Sequence, residues 1–244
     1  MEKRDLVREF KRIGIHEGMA LEVHSSLGSF GYIEGGADAI IEALMECVGN
    51  KGSIFMPALR LGPPMELSQE DKAMGITVKI KVLPENAAKT DMGIIADIFR
   101  SREDVITGKG IIRTSGWGLY AGEAAKGGLD FAIHNGGKAL LLGVDIYKLT
   151  AMHYVEDILP KEISRIFAPG KEINKKYPPD EWFIETGSPP VKPWYTIQDM
   201  AYEKGMIQEG YIGKCKYMFF DIWDVVELYK IELEKNPFKL YGLD

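Results

Sequence analysis

MALEVHSSLGSFGYIEGGADAIIEALMECVGNKGSIFMP, residues 19–57, is the stretch that decides the fold. MALEVH (19–24) reads as a strand. In ADAIIEALMECVG (37–49), Ile40, Ile41, Leu44, Met45 and Val48 recur at three- and four-residue steps, the period of one buried helix face. Gly49, Asn50 and Gly52 stop that helix, and SIFMP (53–57) returns as a second strand. Strand, helix and strand make a β-α-β unit, which favours a parallel or mixed sheet covered by helices.

The rest of the chain extends this pattern. A short amphipathic helix, Arg4 to Ile13, comes before it, and MGIIADIFRS (92–101) reads as helical. GEAAKGGLDFAI (122–133) is partly helical, and KALLLGVD (138–145) is a buried strand. Residues 58–90, which include LGPPMELSQED, form a long excursion. Residues 168–193 contain Pro169, Pro178, Pro179, Pro189, Pro190 and Pro193, which predicts a second excursion with little regular structure. A helix over 196–207 and the apolar-rich YMFFDIWDVVELYKIELEK (217–235) complete the chain. The expected fold is α/β: a central mixed sheet flanked by helices in α/β/α layers, one domain over 1–244 with two loop-rich insertions.

Composition excludes several classes. With 244 residues, 45% hydrophobic and 27% charged, the chain can bury a substantial core. A formal charge of −6 argues against a general nucleic-acid binder and is compatible with a cationic ligand. Cys47 and Cys215 lie far apart, which suits a reducing compartment and gives no metal spacing. MEKRDLVREFKRIG at the N-terminus is too charged for a secretory signal, and no apolar run approaches the ~18 residues of a membrane span. A cytoplasmic protein is expected, with no membrane or nucleic-acid partner.

Two loops are rich for connectors. HSSLGSFGYIEGG (24–36) joins a strand to its helix with four glycines and three serines. Glycines let main chain approach a ligand, and hydroxyls and free N–H groups can hold oxyanions; a satisfied turn would look the same. LTAMHYVEDILP (149–160) follows the buried strand. There Thr150 is expected to N-cap a helix running to Leu159 and closed by Pro160. His153 then lies in the first turn, where the helix dipole disfavours imidazolium and so favours a neutral general base. Glu156 at i+3 is placed to orient the ring, while Asp157 is expected to be solvated. By spacing alone, such a pair is also common on solvated helix surfaces. In GIIRTSGWGLYAG (110–122), Arg113 is a candidate anion partner or a surface ion pair; Trp117 and Tyr120 either line a cleft or pack.

These segments together resemble the aminoglycoside 3-N-acetyltransferase family, coenzyme A-dependent enzymes whose fold differs from the GNAT acetyltransferases. EVHSSLGSFGYIEGGADAIIEAL, the MP of SIFMP, MGIIADIFR, LLLG followed by TAMHYVED, and EGYIGKCKYMFF carry the resemblance, from about residue 5 to 225. It implies acetyl-CoA as cosubstrate, a small-molecule amine acceptor and no metal; a homodimer is compatible with it. Thr150, His153 and Glu156 match the family's Thr-x-x-His-x-x-Glu-like segment. The resemblance makes His153 the base and Glu156 its brace. It sets His24, Ser25, Ser26, Leu27, Gly28 and Ser29 against the pantetheine and pyrophosphate, with Arg113, Thr114 and Thr150 also on the cofactor. The chain departs from the family at Arg113-Thr114-Ser115-Gly116-Trp117, which lacks the usual His-Pro, and at His134-Asn135-Gly136-Gly137, which lacks a Ser-Pro. Acceptor-binding carboxylates are sought among Glu66, Glu70, Asp71, Asp180 and Glu181. Other readings are a coenzyme A-binding relative without catalysis, a serine hydrolase using Ser25 or Ser26 with His153, and a metal site from His153, Glu156 and His24. The absence of a G-x-S-x-G elbow counts against the hydrolase.

Overall fold

The computed structural model describes residues 1–187 and 191–243, apart from the side chains of Ala125 and Val191. Helix α1 (Lys3–Arg12) leads to β1 (Ala20–Ser25), α2 (Gly36–Val48), β2 (Ser53–Pro57), β3 (Leu61–Pro64), α3 (Gln69–Ala73) and β4 (Ile76–Val82). Then come α4 (Ile94–Arg100), β5 (Ile106–Thr107), β6 (Thr114–Gly118), α5 (Gly128–His134) and β7 (Lys138–Leu142). The remainder is α6 (His153–Glu156), α7 (Lys161–Phe167), α8 (Lys171–Lys176), β8 (Trp182–Thr186), α9 (Val191–Glu203), β9 (Gln208–Ile212), β10 (Cys215–Asp221), α10 (Ile222–Lys235) and α11 (Pro237–Tyr241).

Seven strands form one sheet in the order β5-β6-β2-β1-β7-β10-β9. The strands β2, β1 and β7 at its centre run parallel, and every other pairing in it is antiparallel. The β-α-β unit of residues 19–57 is therefore the seed of the sheet. Alternation along each strand separates two cores. Leu21, Val23, Ile54, Met56, Leu140 and Leu142 pack under α1, α2 and α4. Phe55, Ala139, Leu141, Met218 and Phe220 pack against α5, α9 and α10. Both faces are covered, which gives the expected α/β/α layering.

The two excursions are not irregular. β4 pairs antiparallel with β3 from the first and with β8 from the second, so both fold into one three-stranded sheet. Segment 168–193, expected to hold little regular structure, carries α8, β8 and the start of α9. Pro169, Pro178 and Pro179 fall between these elements, and Pro193 lies in the first turn of α9, where a missing N–H breaks no helix bond. Pro189 and Pro190 lie outside the described residues.

Candidate active site

Register places the site. Because Ser25 of β1 pairs with Leu142 of β7, the two strands end side by side, and β2 ends on the same edge at Pro57. The loops that follow therefore converge, as expected at the carboxyl edge of parallel strands. His24, Ser25, Ser26, Leu27 and Gly28 meet Gly143 and Lys148 around a cavity of about 600 Å³. A second cavity, about 260 Å³, lies between Arg113, Thr114, Asp130 and Tyr154. Leu59, Thr150 and His153 line both.

The cradle is pinned from below. Ser26 N–H donates to Leu142 O at 2.8 Å. Ser29 Oγ donates to Ser26 O at 2.7 Å and lies 3.0 Å from Cys215 Sγ. Gly143 (φ +70°) allows this approach: a Cβ there would sit 2.0 Å from Ser29 Oγ. Ser29 was placed with the cofactor, but it lines neither cavity and instead ties the loop to β10. The hydroxyls of Ser25 and Ser26 and the N–H groups of Leu27 and Gly28 make no hydrogen bond to protein among the described residues, which leaves them for a ligand in the larger cavity.

His153 opens α6 with its side chain 55% exposed on the shared wall. Its Nδ1–H donates to Glu156 Oε2 at 2.5 Å, and Glu156 Oε1 accepts from Trp194 Nε1–H at 3.0 Å. The indole meets the imidazole edge-on, ring centroids 5.0 Å apart. Crowding around the ring works against its charge, yet Glu156, and beyond it Glu185 and Asp157, raise the His153 pKa above the ordinary imidazole value. A helix dipole does not hold this imidazole neutral. α6 has only four residues, Thr150 sits in a 3-10 turn and caps nothing with its hydroxyl, and the helix ends at Glu156 rather than Leu159. Neighbouring carboxylates, not a helix terminus, set the base strength of this ring.

His24 makes no hydrogen bond to that pair. Its Nε2 lies within hydrogen-bond distance of Glu22 Oε1, at 2.7 Å, both side chains buried in the central strand. Ala151 N–H donates to Glu22 Oε1 at 3.2 Å, and Thr150 N–H points at His24 Nε2 at 3.3 Å. β1 thus grips the backbone just ahead of His153. His24 and His153 serve separate carboxylates, and no hydrogen bond links either cradle serine to His153 among the described residues. No group of three or more His, Cys, Asp or Glu there is arranged to hold a metal ion.

Arg113 and Thr114 sit on the wall of the smaller cavity, not in the cradle. The Arg113 guanidinium is committed: Nε donates to Ala58 O at 3.0 Å, Nη1 to Glu85 Oε1 at 2.6 Å and Nη2 to Glu85 O at 3.1 Å. It clasps the loop after β2 to the loop after β4, so the donors expected on the cofactor are engaged with protein. Trp117 packs, donating to Asp104 at 3.1 Å, and Tyr120 stacks on Phe131. None of Glu66, Glu70, Asp71, Asp180 and Glu181 lines either cavity. Asp71 is buried under Lys79 and Tyr177, while Glu70 and Glu181 pair with Lys176 and Lys81. Asp157, expected to be solvated, is exposed and edges the smaller cavity.

Sequence reasoning missed Glu22, Leu59, Glu185 and Trp194. Glu22 carried a signal, a carboxylate inside the otherwise apolar ALEV run. Trp194 carried none, since only tertiary packing brings α9 against α6.

Among known families, the model described as Aminoglycoside 3-N-acetyltransferase matches residues 23–109. The SPbeta prophage-derived aminoglycoside N(3')-acetyltransferase-like protein YokD of Bacillus subtilis is 30% identical, over 92% of this chain and 89% of that protein. The crystal structure of YokD superposes with a TM-score of 0.73 at 21% identity, covering 97% of this chain and 94% of that one. AAC-IIIb, solved as a binary complex with CoASH, superposes with a TM-score of 0.70 at 18% identity, over 96% and 97% of the two chains.

Proposed function

We propose, for a chain that belongs to the aminoglycoside 3-N-acetyltransferase family, that it transfers an acetyl group from acetyl-CoA to an amine, with His153 as general base. The observation that carries this reading is the position of His153: it stands on the wall shared by two cavities, with Nδ1 held by Glu156. A two-substrate transfer needs such a group between its donor and acceptor sites.

The larger cavity fits the acyl carrier. Its glycine-serine rim offers unengaged N–H and hydroxyl donors, and its volume of about 600 Å³ accommodates an extended arm. When bound there, acetyl-CoA supplies the activated acetyl group. Leu27 and Gly28 N–H donate toward charge developing on the thioester oxygen, the usual stabilisation in acyl transfer. The smaller cavity receives the acceptor. Glu156, Glu185 and Asp157 around His153 favour an acceptor that carries positive charge elsewhere, its reacting amine being neutral when it attacks. His153 takes the proton as the amine forms its new C–N bond, the C–S bond breaks, and the proton passes on to the leaving thiolate. Glu156 holds the ring and steadies the imidazolium. Cys47 and Cys215, both free and buried, accord with a cytoplasmic setting.

Aminoglycosides are the first acceptors to try, because the relative and the family description carry that name. Thiol release from acetyl-CoA against a panel of aminoglycosides and simpler amines tests the reading. An acceptor should stimulate release, and His153→Ala should cut the stimulated rate about 10²–10⁴-fold while coenzyme A still binds. Coenzyme A binding without stimulation by any amine refutes catalysis and favours a binding protein, a reading that the missing His-Pro after Arg113 supports.

A further inference from the structure

We infer that Trp194 is a positioning residue for the His153–Glu156 pair, acting through the carboxylate. Glu156 presents one oxygen to each neighbour: Oε2 to His153 Nδ1 at 2.5 Å and Oε1 to Trp194 Nε1 at 3.0 Å. A carboxylate with both oxygens anchored on opposite sides cannot rotate without breaking a bond. The donor is itself immobile. Trp194 is 5% exposed, packed among Met152, Val155, Ile197 and Tyr229, and the indole N–H is the only polar atom it carries. The indole edge on the imidazole, centroids 5.0 Å apart, also restricts the ring's own rotation. Trp194 acts on the base through this pair, and it is itself among the residues that line the larger cavity. The last third of the chain thereby sets the geometry of a base that lies some forty residues upstream.

This inference rests on His153 being the base, so its test is read without substrate. Trp194→Phe keeps the packing ring and removes the N–H. Glu156 is then free to turn toward water, the contact to Nδ1 loosens, and the carboxylate's support of the imidazolium weakens. Imidazole titration by NMR should show the His153 pKa falling by about 0.5 unit or more in Trp194→Phe relative to wild type. In the wild type, the Trp194 indole N–H resonance should shift with the same midpoint as the His153 ring, a measurement that requires no variant to fold. If the chain acetylates an amine, kcat should fall about tenfold with KM for acetyl-CoA changed less. An unchanged or higher His153 pKa in the folded variant, or an indole resonance that ignores the imidazole titration, overturns the inference. Failure to acetylate any amine would refute the base reading and leave this titration result standing.

Discussion

Gly143→Ala is the most informative perturbation of the cradle. Gly143 has φ +70°, a conformation that costs an L side chain about 1–2 kcal/mol. Its new Cβ would lie 2.0 Å from Ser29 Oγ and 2.2 Å from Ser29 Cβ, well inside contact. Ser29 cannot simply swing aside, because its hydroxyl is bound to Ser26 O, and Ser26 N–H holds Leu142 O. Overpacking of this kind costs a further ~1–3 kcal/mol, so the total is about 2–5 kcal/mol. That is a large part of the ~5–15 kcal/mol by which domains are usually stable. Ser29→Gly removes both clashing atoms, whereas Ser29→Ala keeps the Cβ and should rescue nothing. Urea unfolding of wild type, the singles Gly143→Ala and Ser29→Gly, and the double variant closes a thermodynamic cycle. The double variant should recover about 1–3 kcal/mol, the overpacking share, and retain the backbone cost. Coenzyme A binding, followed by calorimetry, should be lost in Gly143→Ala and partly restored in the double variant. A coupling energy within about 0.5 kcal/mol of zero would show that Ser29 does not pin the cradle through this contact.

Three further outcomes follow from the site and the insertion sheet. Because Glu156, Glu185 and Asp157 raise the His153 pKa, the acid limb of the rate profile should have its midpoint above about 6.5, and Glu156→Gln should move it down; a limb unmoved by that change refutes the pairing. The same raised value means that imidazolium stabilises the native state fully below about 6.5 and loses that effect as pH climbs through the folded pKa. Asp71 accepts from Lys79, Tyr177 and the Ser68 N–H, which hold its pKa far below the ordinary carboxylate value. It has no solvent surface, but its cover is a thin layer of those partners, so Asp71→Asn should cost about 1.5–3 kcal/mol in urea unfolding. The wild-type effect should be present above about pH 3.9 and fade only in stronger acid, so an unchanged urea midpoint for Asp71→Asn at neutral pH would contradict this. Arg113→Met orphans the carbonyls of Ala58 and Glu85 and should lower the urea midpoint, with coenzyme A affinity retained. Lost affinity at unchanged stability would make Arg113 a phosphate ligand instead of a clasp.

The central layer was legible because hydrophobic period and glycine punctuation are local. Ile40 through Val48 announced α2, and LLLG announced β7 and its exit. The His153–Glu156 pair was legible because i and i+3 are neighbours on any helical turn. What escaped depended on distant contacts. β8 looked like a proline-broken coil because its partner, β4, lies about a hundred residues earlier, and only that pairing makes WFIET a strand. Thr150 looked like a cap until β1 supplied Glu22 and His24 to receive the N–H groups of residues 150 and 151. Arg113 read as an anion partner or a surface ion pair, since nothing in its neighbourhood announces Ala58 and Glu85.

The joint sheet of the two excursions constrains how this protein can diverge. Ile184 pairs with Lys79 and Phe183 with Ile80, so adding or deleting one residue in either strand turns its side chains to the opposite face. The side of the molecule that carries Glu185 is stitched from two separate pieces of gene. Changing the length of either strand requires matched edits in both.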